Sequence, residues 1–431
     1  MAISSARQKN RGGQAAAGTA SVTRRHRPDH RLVLFMGLLI MIGLVVLFAI
    51  SPYQIHRINQ EGGSLDQGHY MLKQLTYLLL GGSAFVVGSL IPMSLWRRFA
   101  GTILLSALGV CALLALLGAL SLPPAFCFNG ACRWFDFGII SFQPAEFLKF
   151  AVLIFGSAFL ASRITQKKID NIQDTLMPIG IVAALVVFFV VGLQKDMGTG
   201  LTILGVMAAM LVVSGVSLRL LGLAGAAAVG LGLLFVVLSP HRMERVMTFF
   251  NSSATDASSY HIDMAKLAIG SGGLFGRGLG NGVQAFGYLP EALNDSIFAV
   301  LGEIFGFVGL VIIIGLFGAL LVRIMHVSER LQDPLMRLLA AGVFGWLTTH
   351  VIVNIGAMTG VMPLTGVTLP FLSFGGTSLL SMMAALGVVY HVSKYTSFRI
   401  VNEGGSHEAT GSRRGFGGSR DSGTRRNQRT R

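Results

Sequence analysis

Long apolar segments separated by short polar ones recur along most of the chain. Most are close to the roughly 20 residues that a helix needs to cross the hydrocarbon core of a bilayer. So many exceed what the core of a soluble protein can bury, and the pattern predicts an all-α, polytopic membrane bundle. The ten predicted spans are Leu32–Ile50, Gln74–Met93, Gly101–Leu122, Phe142–Ala161, Leu176–Leu193, Met197–Ser214, Leu220–Leu238, Ile297–Leu321, Leu338–Met358 and Ser373–Val392.

The charged residues support this interpretation and orient the bundle. They make up only 12% of the chain, whereas a soluble domain carries about 25%. An even number of spans places both ends on one side, and most of the 34 Lys and Arg residues lie there. Because cytoplasmic loops are enriched in these residues, both termini are expected in the cytoplasm and Asp295 at the outer surface.

The two terminal segments differ in composition from the rest. Residues 1–30 and 396–431 are rich in Gly, Ser and Arg and poor in apolar residues, which predicts disorder. Their basic charge is better explained by orientation and by anionic membrane lipids than by nucleic acid. Between them, residues 31–395 are predicted to form one membrane domain. The first span is too long for a cleavable signal peptide and is interpreted as a signal anchor.

Two predicted outward segments are longer than ordinary connections. The segment 239–296 begins with "SPHRMERVMTFFNSS", a candidate amphipathic helix whose Arg242 and Arg245 could face an outward anion. It continues into "AIGSGGLFGRGLGNG", whose glycine density predicts neither helix nor strand. The other, Pro123–Ser141, contains Cys127 and Cys132, which are either a disulfide in an oxidising compartment or two free thiols.

Two acidic residues stand at the eighth predicted span. Asp295 lies just before it, where it could cap the helix or act as a half-desolvated general base. Glu303 lies about two turns deeper and is expected to face the bundle interior, because a charge in lipid is costly. A structural ion pair and a catalytic role are both open for Glu303.

Further polar residues stand at the outer ends of other spans. Glu146 and Lys149 are three residues apart and could neutralise each other on one helix face. Arg133 and Trp134 precede them, and an Arg beside an aromatic residue suits an anionic lipid headgroup. The turn with Lys195 and the ninth-span residues His350 and Asn354 add to the same predicted crevice.

The chain has no metal-cluster spacing, P-loop, dinucleotide fingerprint or Ser-His-Asp signature. An outward crevice with acids and arginines suits either an enzyme acting on a lipid-linked anion or a transporter of one. Six ordered stretches then carry a resemblance: "NGACRWFDFGIISFQPAEFLKF", "KDMGTG", "HRMERVMTFFN", "AIGSGGLFGRGLGN", "YLPEALNDSIFAVLGE" and "PLTGVTLPFLSFGGTS". In these stretches the chain resembles the SEDS family (shape, elongation, division and sporulation) of bacterial cell-wall polymerases, from roughly Asp29 to Tyr395.

This resemblance implies ten spans and a peptidoglycan glycosyltransferase that polymerises lipid II at the outer face of the cytoplasmic membrane. Asp295 matches the family's essential aspartate, which would take a proton from the acceptor sugar hydroxyl. Substrate binding is predicted for the family's motif positions and for the two loop arginines. These residues are Arg133, Trp134, Gln143, Glu146, Lys149, Arg242, Arg245 and Glu303.

The resemblance also implies cofactors and partners. A divalent cation, Mg²⁺ or Mn²⁺, would assist the pyrophosphate, and no organic cofactor is expected. The implied partners are lipid II, a class B penicillin-binding protein transpeptidase, other divisome proteins and membrane lipids, without nucleic acid. "GRGLGNGVQAFGYLPEA" favours the division type of the family, at the division site.

The chain departs from the family pattern at three places. It has "LNDS" around Asp295 where the family usually has His-Thr-Asp-Phe, "MA" before "AIGSGG" where Gln-Ser is expected, and Lys195 where Pro is commoner. A non-catalytic division scaffold is one alternative, if the departures around Asp295 abolish catalysis, and a lipid II flippase or other transporter is the other. The crowding of polar residues in the outer third favours chemistry at the outer surface.

Overall fold

In the computed structural model, the described residues are 22–25, 27–60, 62–128, 131–138, 140–237, 243 and 257–398. The chain divides into two units, and Thr23–Ser397 contains all the described helices. The helices are α1 (His30–Gln60), α2 (His69–Leu90), α3 (Met93–Ala119), α4 (Pro144–Thr165), α5 (Ile172–Leu193), α6 (Met197–Ser214), α7 (Leu218–Val237), α8 (Ala257–Ser271), α9 (Ile297–Glu329), α10 (Pro334–Met358) and α11 (Gly376–Val392). The strands are β1 (Val22–Arg25), β2 (Ala125–Phe128), β3 (Ala131–Asp136), β4 (Ser141–Phe142) and β5 (Tyr395–Phe398).

The predicted membrane bundle is confirmed. Within the described residues, eight helices are long and apolar enough to cross a membrane, namely α1 to α6, α9 and α10. The other two predicted spans correspond to the shorter apolar helices α7 and α11. The protein is therefore a multi-pass membrane protein whose apolar helices match the ten predicted spans.

Several predicted span ends are wrong by a few residues. Leu122 lies beyond the end of α3, Phe142 lies in β4, and Ser373 lies in a turn before α11. Apolar residues continue past these boundaries, but the helical backbone ends there. Pro144 occupies the first turn of α4, where its missing N–H costs nothing.

The most buried helices form the centre of the bundle. In α10, 72% of the apolar window is buried, whereas in α2 only 22% is buried. Helix α10 packs against α4, α6 and α9, while α2 packs mainly against α11. The exposed apolar side chains of the outer helices are those expected to face lipid.

Alternating helix directions bring the longest connections to one end of the bundle, which we call the Asp295 end. It carries the described residues of the connections 61–68, 120–143, 194–196, 257–296 and 359–375. Strands β2, β3 and β4 form a three-stranded antiparallel sheet within the second of these connections. Cys127 and Cys132 form a disulfide across the β2–β3 hairpin, which selects the first of the two predicted alternatives.

The glycine-rich segment is more ordered than its composition predicts. Helix α8 continues to Ser271, and Gln284–Tyr288 forms a π-helical turn. Between them, the chain hydrogen-bonds to the backbone of α9 at a kink where Gly306 has φ +67. A Cβ on Gly276 would collide with the Ile304 carbonyl oxygen, so the glycine permits this close approach.

Candidate active site

Asp295 lies in the turn that leads into α9, and its side chain is half-buried. The N-cap of α9 is Ser296, without a side-chain capping bond. Helix α9 therefore begins two residues after Asp295. The Asp295 carboxylate approaches Gly366, since a Cβ at that glycine would lie 4.0 Å from Asp295 Oδ2.

Two neighbouring helices hold the Asp295 turn by hydrogen bonds. From α10, the Asn354 amide Nδ2 donates to the carbonyl oxygens of Asp295 and Val367, both at 2.7 Å. From α8, His261 Nε2 lies 2.5 Å from the Ser296 hydroxyl. The backbone on which the Asp295 carboxylate is mounted is thus fixed by groups distant in sequence.

The protonation of His261 follows from its partner. Ser296 Oγ donates its one proton to the Pro290 carbonyl oxygen at 2.8 Å, so His261 must donate through Nε2–H. Burial lowers the pKa of His261, and the Glu291 carboxylate opposes this more weakly. At neutral pH the imidazole is therefore neutral, with its proton on Nε2.

Glu146 and Lys149 form a buried ion pair that connects three helices. Lys149 Nζ lies 2.7 Å from Glu146 Oε1, and the two side chains are 1% and 6% exposed. Ser381 Oγ of α11 donates to Glu146 Oε2 at 3.1 Å. The pair is neutralised within the bundle, as helical spacing alone predicts.

The same pair reaches the connection between α10 and α11 through a histidine. His350 Nε2 lies 3.3 Å from Lys149 Nζ, and His350 Nδ1 lies 2.9 Å from the Thr368 carbonyl oxygen. An ammonium can only donate, so Nε2 accepts and Nδ1 carries the proton. Because Thr368 follows Val367, which Asn354 binds, the buried pair and the Asp295 turn contact adjacent peptides of one loop.

Arg133 of β3 holds the turn between α5 and α6. Its Nε and Nη2 donate to the carbonyl oxygens of Gln194 and Lys195, at 3.1 and 2.7 Å. Lys195 has φ +55 and is exposed, whereas Asp196 is buried and accepts from Gln143 Nε2 at 3.1 Å. Arg133 and Gln143 thus position this turn from two sides.

The disulfide hairpin that carries Arg133 rests on α3. A Cβ on Gly118 would lie 2.6 Å from Cys132 Sγ, so a larger residue would displace the disulfide. Trp134 is half-buried on β3 and pairs with Phe126 across the hairpin. Packing against α3 therefore fixes the position of the hairpin at the Asp295 end.

Glu303 is fully buried and anchors the glycine-rich segment. Its Oε1 accepts from the backbone N–H groups of Val283 and Gln284, at 2.6 and 3.0 Å. These groups begin the π-helical turn Gln284–Tyr288, whose orphan donors favour a carboxylate. The geometry gives Glu303 a structural anchoring role at this point.

Some predictions fall outside the described residues. Arg242, Arg245 and the candidate amphipathic helix lie there, apart from Met243. Within the described residues there is no group of three or more His, Cys, Asp or Glu side chains that could hold a metal ion. The divalent cation therefore stays a prediction.

His261 and Ser296 were missed by sequence reasoning, although Asn354 was singled out. The contact between His261 and Ser296 joins positions 35 residues apart and follows no helical or strand period. Residue spacing therefore gave no signal for this contact.

Comparison with known proteins assigns the chain to a family. The family model FtsW/RodA/SpoVE, described as "Cell cycle protein", matches residues 29–398. The chain belongs to this family. The resemblance to the SEDS family is thereby confirmed.

The family includes relatives that cover most of this chain. A Coxiella burnetii protein named "Probable peptidoglycan glycosyltransferase FtsW" is 35% identical over 336 residues, covering 76% of this chain and 87% of that protein. The Bacillus subtilis "Stage V sporulation protein E" is 33% identical and covers 87% of this chain and all of its own length.

Solved structures of the family share the fold. A chain from "Structural coordination of polymerization and crosslinking by a peptidoglycan synthase complex" has a TM-score of 0.69 at 27% identity, covering 85% of this chain and 97% of that chain. The Thermus thermophilus rod shape determining protein RodA has a TM-score of 0.59 at 27% identity, covering 85% of this chain and 96% of its own. The bundle described above is therefore the family's membrane fold.

Proposed function

We propose that the protein is a peptidoglycan glycosyltransferase that polymerises lipid II at the outer face of the bacterial cytoplasmic membrane during division. The observation that carries this proposal is the Asp295 turn, held at the end of the bundle by α8 and α10. Family membership and the names of the relatives support the same activity.

Asp295 is proposed as the general base. The acceptor sugar hydroxyl attacks the anomeric carbon of the donor, forming the new C–O bond while the bond to undecaprenyl pyrophosphate breaks. The hydroxyl proton passes to the Asp295 carboxylate. A base held on a fixed backbone needs little reordering before it takes the proton, which favours this step.

The buried hydroxyl of Thr365 and the Asn354 amide oxygen supply polar atoms next to this base. Both are buried and lack a hydrogen-bond partner among the described residues. Unsatisfied buried polar atoms are costly, so a sugar hydroxyl or a water is a suitable partner for them. Thr365 precedes Gly366, which the Asp295 carboxylate approaches, and Asn354 binds the Asp295 carbonyl oxygen through its amide nitrogen.

The partners are proposed by the same argument. One structural neighbour comes from a peptidoglycan synthase complex that couples polymerisation and crosslinking. A class B penicillin-binding protein that crosslinks the new strands is therefore the proposed partner, with other divisome proteins at the division site. A divalent cation assisting the pyrophosphate also stays a proposal, and no step above depends on it.

The proposal is tested by strand polymerisation. The purified full-length protein, with a class B penicillin-binding protein and Mg²⁺ or Mn²⁺, is given labelled lipid II, and glycan strands are separated on gels. Asp295→Asn is expected to lower the rate by about 100-fold or more, the range for loss of a general base.

Asp136→Asn is the matched control, since it removes an exposed carboxylate from the same end of the bundle. It should polymerise like the wild type. Wild-type rates from Asp295→Asn would overturn the assignment of the base. Inactive wild-type protein, together with normal division in cells that carry only Asp295→Asn, would instead indicate a scaffold.

A further inference from the structure

A cleft opens at the end of the bundle opposite the Asp295 end. Its volume is about 330 Å³, within the range of about 300–1,000 Å³ typical of small-molecule sites. It lies between the first turns of α3 and α10, both of which pack against α4. The lining residues are Met93, Ser94, Arg97, Arg98, Asp333 and Leu335.

The lining of this cleft favours an anion. Arg97 and Arg98 are consecutive and both exposed. The N-cap of α3 is Pro92, which has no side-chain capping bond, so the positive end of the helix dipole is not offset by a capping carboxylate. Two arginines and an uncapped helix start together make the α3 side of the cleft strongly positive.

The one acidic lining residue is already engaged by its own helix. Asp333 Oδ1 accepts from the N–H groups of Leu335 and Met336, at 2.8 and 3.4 Å, as the N-cap of α10. Its charge is therefore partly offset by the α10 dipole. The net charge of the lining side chains is positive.

The cleft is also amphipathic. Met93 and Leu335 are buried and form apolar walls, whereas the two guanidinium groups lie at the exposed rim. The guanidinium carbon of Arg98 lies 5.5 Å from the ring centroid of Phe99, an exposed aromatic side chain. A charged rim above apolar walls matches a phospholipid, in which a charged phosphate is linked through glycerol to apolar acyl chains. Basic pockets between membrane spans bind such headgroups.

We propose that this cleft binds the phosphodiester headgroup of an anionic phospholipid, with Arg97 and Arg98 as its charged ligands. Guanidinium groups suit this ligand because they donate paired hydrogen bonds to phosphate oxygens. The site is separate from Asp295 and does not depend on the proposed glycosyl transfer. A general enrichment of basic residues on the cytoplasmic side would place arginines at this end of the bundle. It would not make Arg97 and Arg98 bind lipid more strongly than other arginines there.

The test measures lipid bound to the full-length protein in detergent micelles, where attraction to a charged bilayer surface is absent. Native mass spectrometry counts phosphatidylglycerol adducts, with phosphatidylcholine and inorganic phosphate as parallel probes. The variants are Arg97→Gln, Arg98→Gln and the double variant. Arg219→Gln is the matched control, since Arg219 is exposed at the start of α7 and at the same end of the bundle.

We expect phosphatidylglycerol to bind in preference to phosphatidylcholine, with inorganic phosphate failing to displace it. Each cleft substitution should weaken binding about fivefold, the equivalent of about 1 kcal/mol for one basic residue near an anionic headgroup. Arg219→Gln should bind normally. Arg97→Lys/Arg98→Lys should bind better than the double Gln variant, and thermal unfolding confirms that the variants are folded.

Three results would overturn the proposal. Equal binding of phosphatidylcholine would remove the role of charge, and equal losses in the cleft variants and in Arg219→Gln would reduce the effect to net charge. Displacement of the lipid by inorganic phosphate at similar concentration would show a phosphate site and no lipid site.

Discussion

At the scale of single residues, the contact of His261 with Ser296 is the most open to test. His261→Leu removes the donor to Ser296 Oγ and leaves the bond from Asn354 of α10 to the Asp295 carbonyl oxygen in place. We expect polymerisation to slow about fivefold, because a hydrogen bond is worth about 1 kcal/mol and this one positions the base. His261→Gln, which keeps a donor, should recover most of the rate.

The rate constant kcat should fall more than KM changes, because the contact positions the base and does not bind substrate. His326→Leu is the control, since His326 is exposed on α9 near the opposite end. Equal losses in Leu and Gln variants of His261 would contradict a hydrogen-bonding role and indicate packing.

The same histidine makes stability depend on pH. Because burial lowers its pKa in the folded state, the unfolded chain binds a proton more readily as the pH falls below about 6.5. The folded state is therefore penalised at low pH, and this contribution is absent above that value. The unfolding temperature of the wild type, relative to His261→Gln, should fall between pH 7.5 and pH 5.5, measured by thermal unfolding in detergent.

At this scale the sequence identified candidate site residues but predicted few of the contacts that they make. Asp295, Asn354 and the Glu146–Lys149 pair were singled out from spacing and position, and the pair forms as helical spacing predicts. Arg133 was expected to face a headgroup, whereas its observed bonds go to backbone carbonyls. Which acceptor a long side chain reaches depends on where another loop lies, and residue spacing does not contain that information.

At the scale of elements, the glycine-rich segment and the kink of α9 form one unit. Gly276 has φ +82, and its Cβ would collide with the Ile304 carbonyl oxygen. Gly276→Ala should therefore lower the unfolding temperature strongly, because the clash adds to the backbone strain of about 1–2 kcal/mol.

Gly280 provides the matched control. It has φ +88, but no atom lies within 4 Å of the position that an added methyl group would take, so Gly280→Ala should show the backbone strain alone. Thermal unfolding of both variants separates close packing from backbone conformation. Equal shifts would contradict the close approach to α9.

The elements that hydropathy defines were predicted well. The elements that depend on close contacts between distant segments were predicted poorly. All ten spans correspond to apolar helices, because lipid demands long apolar runs. The three-stranded sheet and the π-helical turn were not predicted. The π-helical turn depends on a buried carboxylate nearly 20 residues away, which no local propensity reports.

At the scale of the whole molecule, the orientation in the membrane is a prediction from charge. Ser64 and Ser217 are both exposed, at the Asp295 end and at the opposite end. In cells whose outer envelope is permeabilised and whose cytoplasmic membrane is intact, a membrane-impermeant maleimide should label Ser64→Cys but not Ser217→Cys.

The native cysteines give little background, since Cys111 is buried and the other two form the disulfide. Lysed membranes should label both variants, which controls for access. Labelling of Ser217→Cys alone in intact cells would reverse the orientation and place Asp295 in the cytoplasm.

The bonds that hold the Asp295 end share one property: most of their acceptors are backbone carbonyls. Arg133, Asn354 and His350 all bind the main chain of the segments that they position. The side chains at those positions can therefore be exchanged during evolution without loss of the framework. Replacing Gln194 or Val367 would therefore leave the bonds from Arg133 and Asn354 to the main chain in place, whereas Ser296, which His261 contacts through its hydroxyl, has no such freedom.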